Sequence, residues 1–108
     1  MITELDNIQF NAFSKQNKFI ALDVRHFDEY AAFHLAEAIN IDIMDNSSIE
    51  KFSELDKLAN YVVYCALGVR SRSAIKMLDQ LGFKNLFHLS EGILNYSGPI
   101  EPHLAWTT

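Results

Sequence analysis

Apolar residues in the first part of the chain switch between strand-like and helix-like spacing. Ile2-Thr3-Glu4-Leu5 reads as a short opening strand. Ile8, Phe10, Ala12 and Phe13 then recur at mostly helical intervals behind Asp6 or Asn7, either of which can cap a helix, and Gln16-Asn17-Lys18 ends the pattern. Residues 19–22, Phe-Ile-Ala-Leu, form an unbroken apolar run, as expected for a parallel strand covered on both faces. Residues 28–33 read as a short helix and residues 38–41 as a short strand. Asn46-Ser47-Ser48 is the clearest loop of the middle region, with Ser48 able to cap a helical turn from Ile49 to about Leu55 or Leu58. Leu86-Phe87-His88-Leu89 reads as a last strand and residues 92–96 as a final short helix. Strand and helix alternate with short connections, which argues for an α/β layer with a mostly parallel sheet.

The densest signal lies at residues 61–81. Tyr61-Val62-Val63-Tyr64 is an aromatic and β-branched strand that runs straight into Cys65. A loop containing Gly68 follows. Residues 71–81 then keep the helical period at Ala74, Ile75, Leu78 and Leu81, and Gly82 supplies a left-handed C′ position. A cysteine between a strand end and a helix start meets unpaired N–H groups and the positive end of the helix dipole. Both favour the thiolate. A lone cysteine after an apolar strand is more often an inert buried hydrophobe. Gly68, which lets amides converge, and Arg70 and Arg72, placed at the loop mouth, weigh for a nucleophile instead.

The chain of 108 residues has room for one core, and its 49% hydrophobic content is ordinary for one globular domain. No apolar run reaches the ~18 residues of a membrane span, and the first residues lack a basic region before an apolar core. A soluble, unexported, cytoplasmic protein is expected. The single cysteine excludes an internal disulfide and a Cys-rich zinc site, and a free thiol suits a reducing compartment. The 4 histidines, at 26, 34, 88 and 103, show no close ligand spacing, so no metal is expected. A net charge of −5 argues against general nucleic-acid binding. Repeats, low-complexity segments and linkers are absent.

Cys65-Ala66-Leu67-Gly68-Val69-Arg70-Ser71 resembles the active-site loop of rhodanese-like sulfurtransferases, Cys-x-x-Gly-x-Arg-Ser. Leu22-Asp23-Val24-Arg25, Asp28-Glu29-Tyr30 with His34, and Ala38-Ile39-Asn40-Ile41 are similar to further segments of that family. Leu81-Gly82-Phe83 and Leu89-Ser90-Glu91-Gly92-Ile93 follow in the family's order. The resemblance covers residues 2–100, with a surface tail at 101–108. It implies one domain of five strands flanked by helices on both faces, with the Cys65 loop at the carboxyl edge. It favours a scaffold role for Asp23, a carboxylate whose depth calls for a partner such as Arg25 or Arg70, and His34 reads as a hydrogen-bonded structural histidine. Phe33, Ala36 and Glu37 stand where the family has Gly, Pro and Gly. Glu37 would be strained in a left-handed conformation, so that turn is expected to be rebuilt. Tyr96 replaces the family's usual tryptophan and keeps an aromatic cap.

By this resemblance Cys65 takes a sulfane sulfur from thiosulfate or a thiol persulfide and passes it to cyanide or a thiol, with no cofactor. Amides from Ala66, Leu67, Gly68, Val69, Arg70 and Ser71 are expected to cradle the sulfur, with Asp23, Arg25 and Arg72 in support. Arg70 is expected to brace the loop against Asp23 or Glu29. The acceptor must come from outside the chain, a small molecule or a sulfur-relay protein, and a monomer with no membrane or nucleic-acid partner is expected. Two other readings stay open. A cysteine phosphatase uses the same strand–loop–helix device, but its arginine stands six residues after the cysteine and Arg70 stands five after Cys65. A non-enzymatic rhodanese-like binding module often lacks the cysteine that this chain keeps.

Overall fold

A computed structural model describes residues 2–102. Beyond residue 102 the expected tail lies outside the described residues. Five strands form one wholly parallel sheet in the order β1-β5-β4-β2-β3. They are β1 (Ile2–Leu5), β2 (Ile20–Asp23), β3 (Ile39–Asn40), β4 (Asn60–Tyr64) and β5 (Asn85–Leu89). The helices are α1 (Asn7–Gln16), α2 (Phe27–Ala32), α3 (Ser48–Ser53) and α4 (Val69–Gln80), with a 3-10 turn at Ile93–Asn95. No helix among the described residues is long and apolar enough to cross a membrane.

The central strand carries side chains alternately to the two faces of the sheet. Tyr61, Val63 and Cys65 join Leu22, Val24 and Leu86 against Phe52 of α3 and Ala74, Ile75 and Leu78 of α4. Val62 and Tyr64 face the other way, onto Phe10 of α1, Leu35, Ala38 and Ile93. Both faces are covered, which is why β4 reads as a continuous apolar run. Phe10 also sets its ring edge-on to Tyr96, with centroids 5.3 Å apart, so the tyrosine does act as an aromatic cap.

Local chemistry sets the element ends. Asp6, not Asn7, caps α1: its carboxylate accepts from the Gln9 amide at 2.8 Å while the Gln9 side chain accepts from the Asp6 amide at 2.9 Å. The turn before α3 is organised by Asp45, whose Oδ1 accepts from both the amide and the hydroxyl of Ser47 at 3.0 Å. The helix therefore starts at Ser48, inside the position expected for its cap, and stops at Ser53. After α4, Gly82 takes φ 94° and Phe83 N–H reaches back to the Leu78 carbonyl at 3.2 Å, as its C′ position requires.

Three expectations change. α4 starts at Val69, two residues before Ser71, because Gly68 adopts φ 95° as the N-cap and turns the chain straight into the helix. Arg70 is consequently a first-turn helix residue. The turn at residues 33–37 is not rebuilt: Glu37 takes the left-handed conformation at φ 57°. A tertiary contact holds it there, since Glu101 Oε1 accepts from the Glu37 amide at 2.9 Å. Glu101 also forms an antiparallel bridge with His34, through amide-to-carbonyl bonds of 2.9 and 2.7 Å. Residue 101 is thus tied to the body of the domain, where a surface tail was expected.

Candidate active site

Cys65 follows the last residue of the central strand, at the carboxyl edge of the sheet, where open α/β sheets place their sites. Its side chain is 1% exposed. The loop curls back so that its sulfur becomes the acceptor of converging donors. Sγ receives the Gly68 amide at 3.1 Å and the Ser71 amide at 3.3 Å, and Ser71 Oγ lies 3.2 Å away. The Leu67 amide also faces the sulfur. Burial by itself would push the thiol up. The Ser71 hydroxyl and the amides of Ser71, Gly68 and Leu67 outweigh it and bring Cys65 below the ordinary thiol range.

The expected cradle of six residues divides by role. Ser71, Gly68 and Leu67 point amides at Sγ, and the Ser71 hydroxyl shares a further hydrogen bond with it. Ala66 turns its carbonyl away, to accept from the Leu94 amide at 3.1 Å, and the Cys65 carbonyl accepts from Ile93 at 3.0 Å. These two bonds fasten the loop to the turn after β5. Val69 and Arg70 are the first residues of α4, where backbone amides have no intrahelical acceptor.

The arginines separate. Arg70 braces the loop in a two-pronged pair with Glu29 of α2, Nη1 to Oε1 at 2.7 Å and Nη2 to Oε2 at 2.9 Å. This pair, ahead of a smaller opposing effect of burial, holds the Glu29 carboxyl down at about 2. Arg72 turns to β1. It lies along α4 with Nη1 3.5 Å from Glu4 Oε1, half exposed.

Asp23 and Arg25 meet in a buried polar knot. Of the two candidate partners for Asp23, Arg25 is the one it meets: Arg25 Nη2 donates to Oδ2 at 2.7 Å and its own amide to Oδ1 at 2.9 Å. The Tyr64 hydroxyl also donates to Oδ2, at 2.8 Å, and in turn accepts from the Leu35 amide at 3.0 Å. Arg25 Nη2 reaches the Phe33 carbonyl at 2.6 Å. This knot is fully buried and pins the chain between β2 and β3, behind the cysteine loop. His34 is structural, stacked on Tyr30 with centroids 4.1 Å apart and with Nδ1 2.9 Å from the Tyr30 carbonyl oxygen. Among the described residues no group of three or more His, Cys, Asp or Glu side chains is placed to hold a metal ion.

One participant escaped the sequence reading. His88, fully buried on β5, has Nε2 2.7 Å from Ser71 Oγ and Nδ1 3.0 Å from Glu4 Oε1. A histidine inside an otherwise apolar strand was the available signal, because a buried imidazole needs partners.

The rhodanese-like domain family model matches residues 7–98. Curated relatives called tRNA uridine(34) hydroxylase include one from Buchnera aphidicola, 34% identical over 92 residues, covering 82% of this chain and 28% of the relative. Another, from Prochlorococcus marinus, is 28% identical over 103 residues, covering 87% of this chain and 33% of the relative. The chain spans about a third of the length of these relatives. Among solved structures, a rhodanese-related protein of Thermoplasma volcanium superposes with a TM-score of 0.78 at 28% identity, covering 92% of this chain and 97% of that one. The rhodanese-like domain of an Anabaena sp. protein shares the fold with a TM-score of 0.83 at 24% identity, covering 100% and 85%. With matched family segments, fold and loop in agreement, the chain belongs to the rhodanese-like domain family.

Proposed function

We propose that this chain is a sulfurtransferase that carries sulfane sulfur as a persulfide on Cys65. The supporting observation is the set of groups converging on Sγ: the amides of Gly68 and Ser71 as donors and the Ser71 hydroxyl in hydrogen-bond contact, all within 3.3 Å. In the first half-reaction the Cys65 thiolate attacks the outer sulfur of a donor. The donor's S–S bond breaks, and its electron pair leaves on the remainder, a thiolate or sulfite. In the second, a thiolate or cyanide attacks the outer sulfur of the persulfide, and the Cys65 thiolate is regenerated. The first-turn amides of Val69 and Arg70 are available to the outer sulfur while it carries charge. The reaction calls for no cofactor or metal. A reducing cytoplasm, a monomer, and a small-molecule donor or sulfur-relay protein fit it.

Two features weigh against a phosphatase. Arg70, which would clamp a phosphate, is held by both oxygens of Glu29. Cys65 is 1% exposed, a narrow approach that suits one sulfur atom better than a four-oxygen anion. The lowered thiol weighs against a purely non-enzymatic module. The relatives' name favours a second reading, a part in hydroxylating tRNA uridine. With 9 Lys and Arg against 14 Asp and Glu, this chain offers a tRNA backbone little electrostatic attraction of its own.

The test is mass spectrometry of the protein after exposure to sulfane donors, followed by cyanide. Cys65 should gain one sulfur atom and lose it to cyanide as thiocyanate. Cys65→Ser should abolish turnover and keep the fold. Unchanged turnover in that variant refutes the proposal. Cys65-dependent hydroxylation of tRNA uridine without persulfide would favour the second reading.

A further inference from the structure

We propose that Glu4, Ser71 and His88 form a buried proton relay that deprotonates Cys65, with His88 holding the thiol proton. The relay concerns the ionisation of Cys65 and does not depend on which group the thiolate later attacks.

Four side chains from four places in the sequence stand in one line of hydrogen-bond contacts. Cys65 Sγ lies 3.2 Å from Ser71 Oγ, and Ser71 Oγ lies 2.7 Å from His88 Nε2. His88 Nδ1 is 3.0 Å and 3.2 Å from the two oxygens of Glu4. Cys65, Ser71 and His88 are essentially sealed from water, while the Glu4 side chain is 48% exposed and closes the outer end. Sheet geometry produces the alignment. Glu4 is the register partner of His88 across β1 and β5, and Val63, two residues before Cys65, is its partner across β4 and β5. α4 packs on that face and delivers Ser71.

The roles follow from what each group can give. An ionised carboxylate only accepts, so Glu4 fixes the hydrogen on Nδ1 of His88. In the neutral ring Nε2 is then a lone pair. The Ser71 hydroxyl donates to it, and the Ser71 oxygen faces the thiol. For transfer, the S–H bond breaks and leaves its electron pair on sulfur. That hydrogen bonds to Ser71 Oγ, while the hydroxyl's own hydrogen moves to Nε2. The products are a thiolate accepting from Ser71 and an imidazolium donating to Ser71 and to Glu4. Atoms, electrons and net charge are conserved within the four side chains. Both charges meet prepared partners: the thiolate has the Gly68 and Ser71 amides, and the imidazolium has Glu4. This is the arrangement of a nucleophile, a base and a third group that orients the base.

Two arginines of α4 face the relay. From α4, Arg72 Nη1 approaches the same Glu4 oxygen at 3.5 Å, and the charge of Arg70 faces Cys65. β4 brings Val63 and Cys65. Arg72 is half exposed, so solvent screens its competition for Glu4.

The deciding measurement is the rate of Cys65 alkylation by iodoacetamide across pH, read by mass spectrometry. In His88→Gln the amide still reaches Ser71 but cannot hold a proton. Alkylation at neutral pH should slow about tenfold or more, an upward displacement of the midpoint by about one pH unit. Rates should converge with the wild type above the thiol's ordinary range. Glu4→Gln, at a half-exposed position, should move the midpoint the same way by less. A histidine with a merely structural role would leave both midpoints in place, and that result overturns the relay. A second readout leaves His88 intact: nitrogen NMR of labelled histidine should find that the His88 ring takes up a proton together with ionisation of Cys65, and that Cys65→Ser removes this coupling. A His88 ring that does not respond to Cys65 also overturns it. Loss of sulfur transfer with a normal alkylation profile would count against the sulfurtransferase reading and leave the relay standing.

Discussion

Arg70 and Glu29 hold each other across the cysteine loop through two parallel contacts of 2.7 and 2.9 Å. A lysine in place of the guanidinium offers a point charge and cannot reproduce that fork. Arg70→Lys should therefore lower stability by about 1 kcal/mol, the scale of a well-formed but part-exposed pair. It should also reduce the proposed sulfur transfer several-fold, because the first turn of α4 loses its anchor. Thermal unfolding and steady-state kinetics check both effects together; a stable variant that only binds donor more weakly would give Arg70 a substrate contact instead. The same pair governs the acid limb of stability. The Glu29 carboxyl is held at about 2 in the folded protein against an ordinary 4.5. A depressed carboxylate contributes stability that is fully present above about 4.5 and is lost as pH falls toward about 2. After allowance for solvent screening, the loss is on the order of 1–2 kcal/mol. In Glu29→Gln, chemical denaturation between pH 5 and 3 should show a correspondingly flatter decline. A decline as steep as the wild type's would mean that other carboxylates dominate.

The turn that links β5 to Ile93–Asn95 works as a buttress for the cysteine loop. Gly92 has φ 80°, and a Cβ there would lie 2.0 Å from the Ala66 carbonyl oxygen and 2.6 Å from the Leu67 amide. Neither backbone atom can swing aside as a long side chain could. Gly92→Ala should cost more than about 2 kcal/mol from combined strain and overlap. It should also displace the loop, so that Cys65 alkylation at neutral pH slows, as a denaturation curve and an alkylation assay would reveal. Glu37 gives the opposite case. It pays for φ 57° with strain of about 1–2 kcal/mol, and its side chain is exposed. Glu37→Gly should raise stability by up to about 1 kcal/mol, the relief being partly offset by a freer unfolded chain; an unchanged or lower melting temperature would mean that the strain is absent. These two turns also mark what the sequence could reveal. The β4–loop–α4 unit was legible because its determinants are local: alternation, helical period and a glycine. Glu37 misled because propensity alone rejects the left-handed form, and the contact that overrides it comes from Glu101, far along the chain. His88 was visible as a residue but not as a partner. Glu4 lies 84 positions away, and only the strand register brings the two together.

At the scale of the whole molecule, the approach to Cys65 combines an anionic protein with an apolar rim. The net charge of −5 disfavours the arrival of anions generally. Nearer the sulfur, Leu67 is 59% exposed and Val69 75% exposed, and Arg70 is tied to Glu29. Thiosulfate is a compact dianion that gains little from such a rim and must still shed water to reach a narrow opening. A thiol persulfide brings an organic portion that can lie against Leu67 and Val69 and recover apolar contact on binding. For the proposed sulfur transfer, kcat/KM for glutathione persulfide should exceed that for thiosulfate by about tenfold or more, a difference of about 1.4 kcal/mol in transition-state binding. Matched ionic strength is essential, since both donors are anions and the protein's charge acts on each. Replacing Leu67 and Val69 with serine separates rim from loop: the preference should shrink through loss of the persulfide rate, with the thiosulfate rate little changed. A preference for thiosulfate at every salt concentration would mean that the backbone amides around Cys65 dominate donor choice and the apolar rim does not.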